Sequence, residues 1–137
     1  MNFKTVKHSI PKVDANGLMR GLPAYTDDLT DENALIIKCL RSPHAFAKIR
    51  SINTEKALQL NEIECILTHK DVPRIPITRA GQGYPEPSPK DYFILDEFVR
   101  YVGDEVAIIA GRSEKSVQKA IKLIEVDFEV FEPVLDF

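Results

Sequence analysis

Three groupings of residues in this chain have the types and spacing that chemistry uses. In "VRYVGDEVAIIAG" (99–111), Asp104 and Glu105 follow Gly103 directly, as an acid pair on a glycine bend would. Paired carboxylates do general acid and base work when their environments drive their pKa values apart. Cys39 and His44 lie five positions apart and Cys65 and His69 four apart, together a Cys2His2 donor set of the kind that holds zinc. "AGQGY" (80–84) carries Gly-x-Gly, the core of turns that cradle phosphates.

Each grouping meets a simpler reading once the surrounding elements are considered. Neighbours in a strand point to opposite faces, so Asp104 and Glu105 in a strand cannot share a substrate, and in a turn they would splay into water. The cysteines lie inside apolar runs, where a thiol serves as a small hydrophobe. Their spacing is also not that of paired zinc cysteines. The Gly-x-Gly neither follows a strand nor opens a helix, and it sits among prolines. The three histidines, His8, His44 and His69, have no G-x-S-x-G elbow to serve. The sequence therefore assigns no catalytic, cofactor-binding or metal-binding residue.

The elements that would position these groups follow from periodicity. Residues 1–33 read as an irregular arm, rich in turn formers and carrying the acidic string "DDLTDE" (27–32). Residues 34–137 read as one domain. "ALIIKCL" (34–40) predicts a buried strand. "FAKIRSI" (46–52) predicts a half-exposed one, with Ala47, Ile49 and Ile52 inward. A short helix over 53–60 is capped by Asn53 or Thr54, and a strand over 62–68 places Ile63, Cys65 and Leu67 on one face. Five prolines and two glycines between 73 and 96 exclude a helix or central strand there. A loop this long in a small domain usually contacts something outside it. In 99–111, Val99, Val102, Val106, Ile108 and Ile109 read as sheet core, with Gly103 allowing a bend and Asp104 at its wet edge. Ser113 caps a helix over 113–124 in which Val117, Ala120, Ile121 and Ile124 form the apolar stripe. A strand over 125–131 follows, with Val126, Phe128 and Val130 on one face. The predicted class is α+β, a mixed sheet with two helices packed against it.

Composition bounds the function. The chain has 137 residues and a net charge of −3, with Lys and Arg scattered rather than striped, which argues against a nucleic-acid partner. No window approaches the run of about 18 apolar residues that a membrane span needs. The N-terminus lacks the apolar stretch of a signal peptide. Two cysteines make no disulfide framework, so a cytoplasmic location is expected. The chain stops just after a strand pattern, as if cut from something longer.

Read together, "IPKVDANGLMRGLPAYTDDL" (10–29), "LIIKCLRSPHAFAKIRSINTEKAL" (35–58), "ILTHKDVP" (66–73), "VRYVGDEVAIIAG" (99–111) and "AIKLIEVDFEVFEPVLD" (120–136) are familiar in this order. They resemble the N-terminal α/β hammerhead domain of the molybdopterin-binding subunit in the xanthine dehydrogenase and aldehyde oxidase family. The linker "AGQGYPEPSPKDYFILDE" (80–97) is similar to that of its bacterial members. The resemblance implies part of an oxidoreductase that hydroxylates purines, other heteroaromatics or aldehydes at molybdenum, with water as the oxygen source. It places the molybdopterin ligands in domains that follow, and the iron–sulfur clusters and FAD on partner domains or subunits. None of those functional residues maps onto a position of this chain. One departure is that Phe46 stands where the family often has a second histidine after "SPH" (42–44). The resemblance implies a scaffold and docking role. The alternatives are a stand-alone protein-interaction module with no molybdenum partner, or a small hydrolase using the 104/105 pair.

Overall fold

The computed structural model describes residues 4–22, 25–80 and 88–136. The chain separates into two compact units, Met1–Ala34 and Leu35–Phe137. The first is not wholly irregular. It contains a five-residue helix, α1 (Ala15–Met19), and a 3-10 turn at Asp27–Leu29, neither of which buries a residue.

The second unit runs β1 (Ile36–Arg41), β2 (Ala47–Asn53), α2 (Glu55–Leu58), β3 (Ile63–Thr68), β4 (Phe98–Val99), β5 (Glu105–Gly111), α3 (Glu114–Leu123) and β6 (Glu125–Val130). The α+β class holds. The strands divide between two three-stranded sheets, ordered β1-β5-β3 and β4-β2-β6, in which every pair is antiparallel. β5 is central and buried on both faces, which is why it reads as an unbroken apolar run. Ala107 and Ile109 face one core with Ala57, Val117, Ala120 and Ile124. Val106, on the opposite face, joins Ala47, Ile49 and Val99 of the second sheet. Leu40, Ile52 and Val126 pack against both cores and connect them. Each fully buried valine or isoleucine contributes about 1.5–3 kcal/mol. An exposed ion pair such as Lys56–Glu125 contributes about 0–1 kcal/mol. The apolar layers therefore set the fold.

The helix ends follow the sequence. Ser113 Oγ accepts the Ser116 N–H at 3.3 Å and caps α3. At α2 it is Asn53 that takes an amide, the Glu55 N–H at 3.1 Å, while Thr54 makes no side-chain cap bond.

Five expectations about faces are corrected. β1 is an edge strand, so Leu35, Ile36 and Ile37 are exposed rather than buried. A register shift between Ile63 and Cys65 inserts one residue in β3, so Ile66 and Thr68 turn inward and Cys65 outward. Val102 is exposed and lies outside β5, and Val130 is exposed at the end of β6. Asp104 is buried instead of wet. A similar shift between Ile49 and Ser51 accounts for Ile52, rather than Ser51, facing the core with Ala47 and Ile49.

Candidate functional site

The densest polar cluster forms at the bend before β5. Gly103 has φ of +96°, in the left-handed region that disfavours a Cβ. Its N–H donates to the Ser42 carbonyl at 2.8 Å, and the Ser42 N–H donates to the Asp104 carbonyl at 2.8 Å, so the bend closes on the end of β1. The ladder also shifts register between Leu40 and Arg41. Strand alternation therefore does not extend back from Glu105 to Asp104.

The two carboxylates consequently converge on one group. The Tyr92 hydroxyl lies 2.8 Å from Glu105 Oε2 and 3.1 Å from Asp104 Oδ1, positioned to donate to either. This corrects the expectation that the pair would point apart. Asp104 also accepts the Arg100 N–H at 2.9 Å and the Glu105 N–H at 3.1 Å. Glu105 is flanked by two arginines, Arg79 at 2.7 Å on Oε2 and Arg41 at 3.0 Å on Oε1. Arg79 further donates to the hydroxyls of Tyr101, at 2.6 Å, and of Tyr92, and its guanidinium stacks 3.7 Å from the Tyr92 ring centroid. Arg41 donates to the Gly103 carbonyl at 2.7 Å.

The electrostatics decide what this cluster can do. Burial alone would raise the Glu105 carboxyl, but hydrogen bonds from Tyr92 and Arg79, and the charge of Arg79, hold it down at about 2. Burial and the carboxylates around Tyr92 push its phenol well above the usual range. Arg79 is raised despite its own burial, through its bonds to Glu105 and Tyr101. A general acid or base works best with a pKa near the operating pH. Here the shifts fix the ionised carboxylate, the neutral phenol and the cation. The cluster is built to hold its charges, not to move a proton.

A second cluster repeats the motif. Asp96, buried, sits between Arg74 Nη2 at 3.2 Å and Arg100 Nη2 at 2.8 Å, and it accepts the Glu97 N–H at 2.8 Å. Arg74 also lies 4.6 Å from the Phe93 ring centroid and 3.5 Å from Glu97. Between the two clusters, Ile77 and Tyr92 exchange backbone hydrogen bonds at 2.7 and 3.1 Å in an isolated antiparallel bridge. Both limbs of the Pro-rich segment are thus tied at their base. Sequence reasoning missed Arg74, Arg79, Tyr92, Asp96 and Tyr101 because the segment's prolines spoke only against regular structure. The basic–aromatic pairs Arg74/Phe93 and Arg79/Tyr92, one partner on each limb, were the available signal.

The other sequence candidates are dispersed. Cys39 lies in β1 and Cys65 in β3, on opposite sides of β5, facing Ile108 and Ala110 respectively. His44 packs edge-on against Phe128 at 5.0 Å between ring centroids. His69 follows β3 with its Nδ1 buried and unpartnered, and burial followed by the charge of Lys70 lowers its pKa. Among the described residues no group of three or more His, Cys, Asp or Glu is placed to hold a metal ion. The Gly-x-Gly at 81–83 lies outside the described residues. A cleft of about 500 Å³ between Phe46, Tyr101, Val102 and Leu135 has Arg100 as its charged member, already bound to Asp96. No helix of the described residues is long and apolar enough to cross a membrane.

Residues 20–132 match the family model "Aldehyde oxidase and xanthine dehydrogenase, a/b hammerhead domain". The chain is 42% identical over 134 residues to the "Probable hypoxanthine oxidase XdhD" of Escherichia coli O157:H7, an alignment covering 98% of this chain and 14% of that protein. It is 36% identical over 122 residues to the "Xanthine dehydrogenase molybdenum-binding subunit" of the same organism, covering 86% of this chain and 16% of that one. Among solved structures, the aldehyde oxidoreductase from Desulfovibrio desulfuricans superposes with a TM-score of 0.71 at 27% identity, over 90% of this chain and 14% of that one. The chain thus spans about a seventh of the length of these relatives.

Proposed function

This chain belongs to the aldehyde oxidase and xanthine dehydrogenase family through its a/b hammerhead domain, and on that premise we propose that it is a non-catalytic scaffold and docking domain of a molybdenum hydroxylase large subunit. The observation that carries the reading is the Pro-rich segment, braced at its base by two arginine–carboxylate clusters. Limbs tied this way fix where the segment leaves and rejoins the domain, and preorganisation lowers the ordering cost of association. The N-terminal arm up to residue 33, which carries α1, is the second docking element.

The larger protein would hydroxylate purine, heteroaromatic or aldehyde substrates, with water as the oxygen source, in the cytoplasm. Molybdopterin does not fit the described residues of this chain. They offer no convergent group of metal-ligating side chains, and the polar donors of the main cluster are already engaged by carboxylates. We place the cofactor in other domains of the large subunit, and the iron–sulfur clusters and FAD on partner domains or subunits.

Cross-linking of the intact protein tests the docking role. Lys90 is exposed on the returning limb of the Pro-rich segment. Cross-links from Lys90 to residues outside the hammerhead domain are expected. Links confined to the domain itself would overturn the docking role.

A further inference from the structure

The two sheets present contrasting outer surfaces. On the second sheet, Lys48 and Arg50 of β2 stand beside Asp127 and Glu129 of β6, and the cations are paired, Lys48 with Glu97 and Arg50 with Glu129. That is the polar alternation of a sheet facing water. The first sheet has none. α3 covers the face carrying Ala107 and Ile109, so Ile108 and Ala110 point the other way. Paired residues of an antiparallel ladder share a face. Cys39 and Leu67 therefore flank Ile108, and Ile37 and Cys65 flank Ala110. All six side chains are apolar, the thiols counting as small hydrophobes. At Val106 this face is closed by the second sheet. Beyond Val106 it opens: Cys39, Leu67 and Ile108 are half-buried, Cys65 is exposed and Ile37 is 63% exposed. Of the six only Ala110 is buried, and none belongs to either hydrophobic core.

We propose that this face seats an apolar element from another domain of the same polypeptide, which supplies the sheet's missing second layer. Its composition is that of a permanent contact, because obligate interfaces resemble a domain core cut in half. Its size is too small for a separate partner. Two rows of side chains across three strands span roughly 200 Å², against about 800 Å² per partner in a stable association. A contact this small holds when its partner is tethered, so that binding is intramolecular. The matched region makes up only 14% and 16% of the two Escherichia coli relatives. The occupant exists only if this chain is likewise part of a large subunit, as proposed above.

Ile37, the most exposed of the six, reports the occupant. In the intact protein, Ile37→benzoylphenylalanine places a photo-crosslinking side chain on the face. Irradiation should link it to residues of the same polypeptide outside the hammerhead domain. Links confined to a second copy, to another subunit or to the hammerhead domain itself, or no link at all, overturn the proposal. Should that variant fail to fold, hydroxyl-radical labelling of the unmodified intact protein answers the question. Core isoleucines are commonly more than about 95% buried, so a covered Ile37 should be labelled at least about tenfold more slowly than in the urea-unfolded protein. A smaller slowing overturns the proposal, since the domain alone leaves this side chain 63% exposed. Cross-links from Lys90 report docking by the Pro-rich segment, a different surface, so either reading can fail without the other.

Discussion

Glu105, the first residue of β5, is paired at 2.7 Å with Arg79, which lies 26 positions earlier on the far side of the Pro-rich segment. This pair turns an apparent acid pair into a fixed charge network. Asp104 and Glu105 meet at the Tyr92 hydroxyl, yet the arginines and that phenol stabilise ionised Glu105 so strongly that it is unsuited to proton transfer near neutrality.

Replacing Glu105 by glutamine keeps the shape and removes the charge. The largely buried carboxylate would no longer neutralise Arg79 and Arg41, and unfolding should become easier by roughly 1.5–3 kcal/mol. Thermal or urea unfolding measures this. A change within error would show that solvent already screens the network.

Acid should weaken the fold in two windows. His69 has a lowered pKa, so its neutral form is favoured on folding and its contribution is complete above 6.5, declining as pH falls below that value. Glu105 has a folded pKa of about 2 against an ordinary 4.5, so its contribution is complete above 4.5 and is lost as pH falls towards 2. Unfolding measured against pH should show His69→Phe flattening the first window and Glu105→Gln the second.

Two glycines should fail for different reasons when changed to alanine. Gly103 has open space around a Cβ but a φ of +96°, so Gly103→Ala costs backbone strain of about 1–3 kcal/mol. At Gly111 a Cβ would fall 2.8 Å from the Glu62 carbonyl and 2.9 Å from Val117 Cγ2, so Gly111→Ala forces β5 and α3 apart. Denaturation of both variants should show destabilisation. Asparagine at 103, which tolerates the left-handed region, should recover part of the loss only there.

The thiols give a direct check on metal binding. Cys65 is exposed and Cys39 half-buried, on opposite sides of β5. A thiol reagent should modify Cys65 faster in the folded protein. Equimolar zinc should leave both rates unchanged, whereas protection of both by zinc would restore the Cys2His2 reading.

What was legible in the sequence was local. Ser113 and the spacing of Val117, Ala120 and Ile124 specify α3 without help from the rest of the chain. The apolar run of β5 was equally plain, because burial on both faces leaves no polar alternation to obscure it. A face was lost where one extra residue broke the period of two, as at Glu64. β1 was misjudged because edge position depends on pairing partners, and Ile36 and Ile37 look the same in an edge or a centre. The candidate cluster was half visible. Asp104 and Glu105 announced themselves, but Arg79 and Tyr92 come from opposite limbs of a segment whose prolines hide that they meet.

The proposed scaffold role is tested most directly on the intact protein carrying Asp104→Asn and Glu105→Gln, by turnover per bound molybdenum on whichever purine, heteroaromatic or aldehyde substrate the unmodified protein is found to oxidise. A scaffold role predicts kcat per molybdenum within about twofold of the unmodified protein, with any loss appearing in the yield of assembled enzyme. A fall in kcat per molybdenum of about a hundredfold or more, the scale of a lost acid or base, would contradict it.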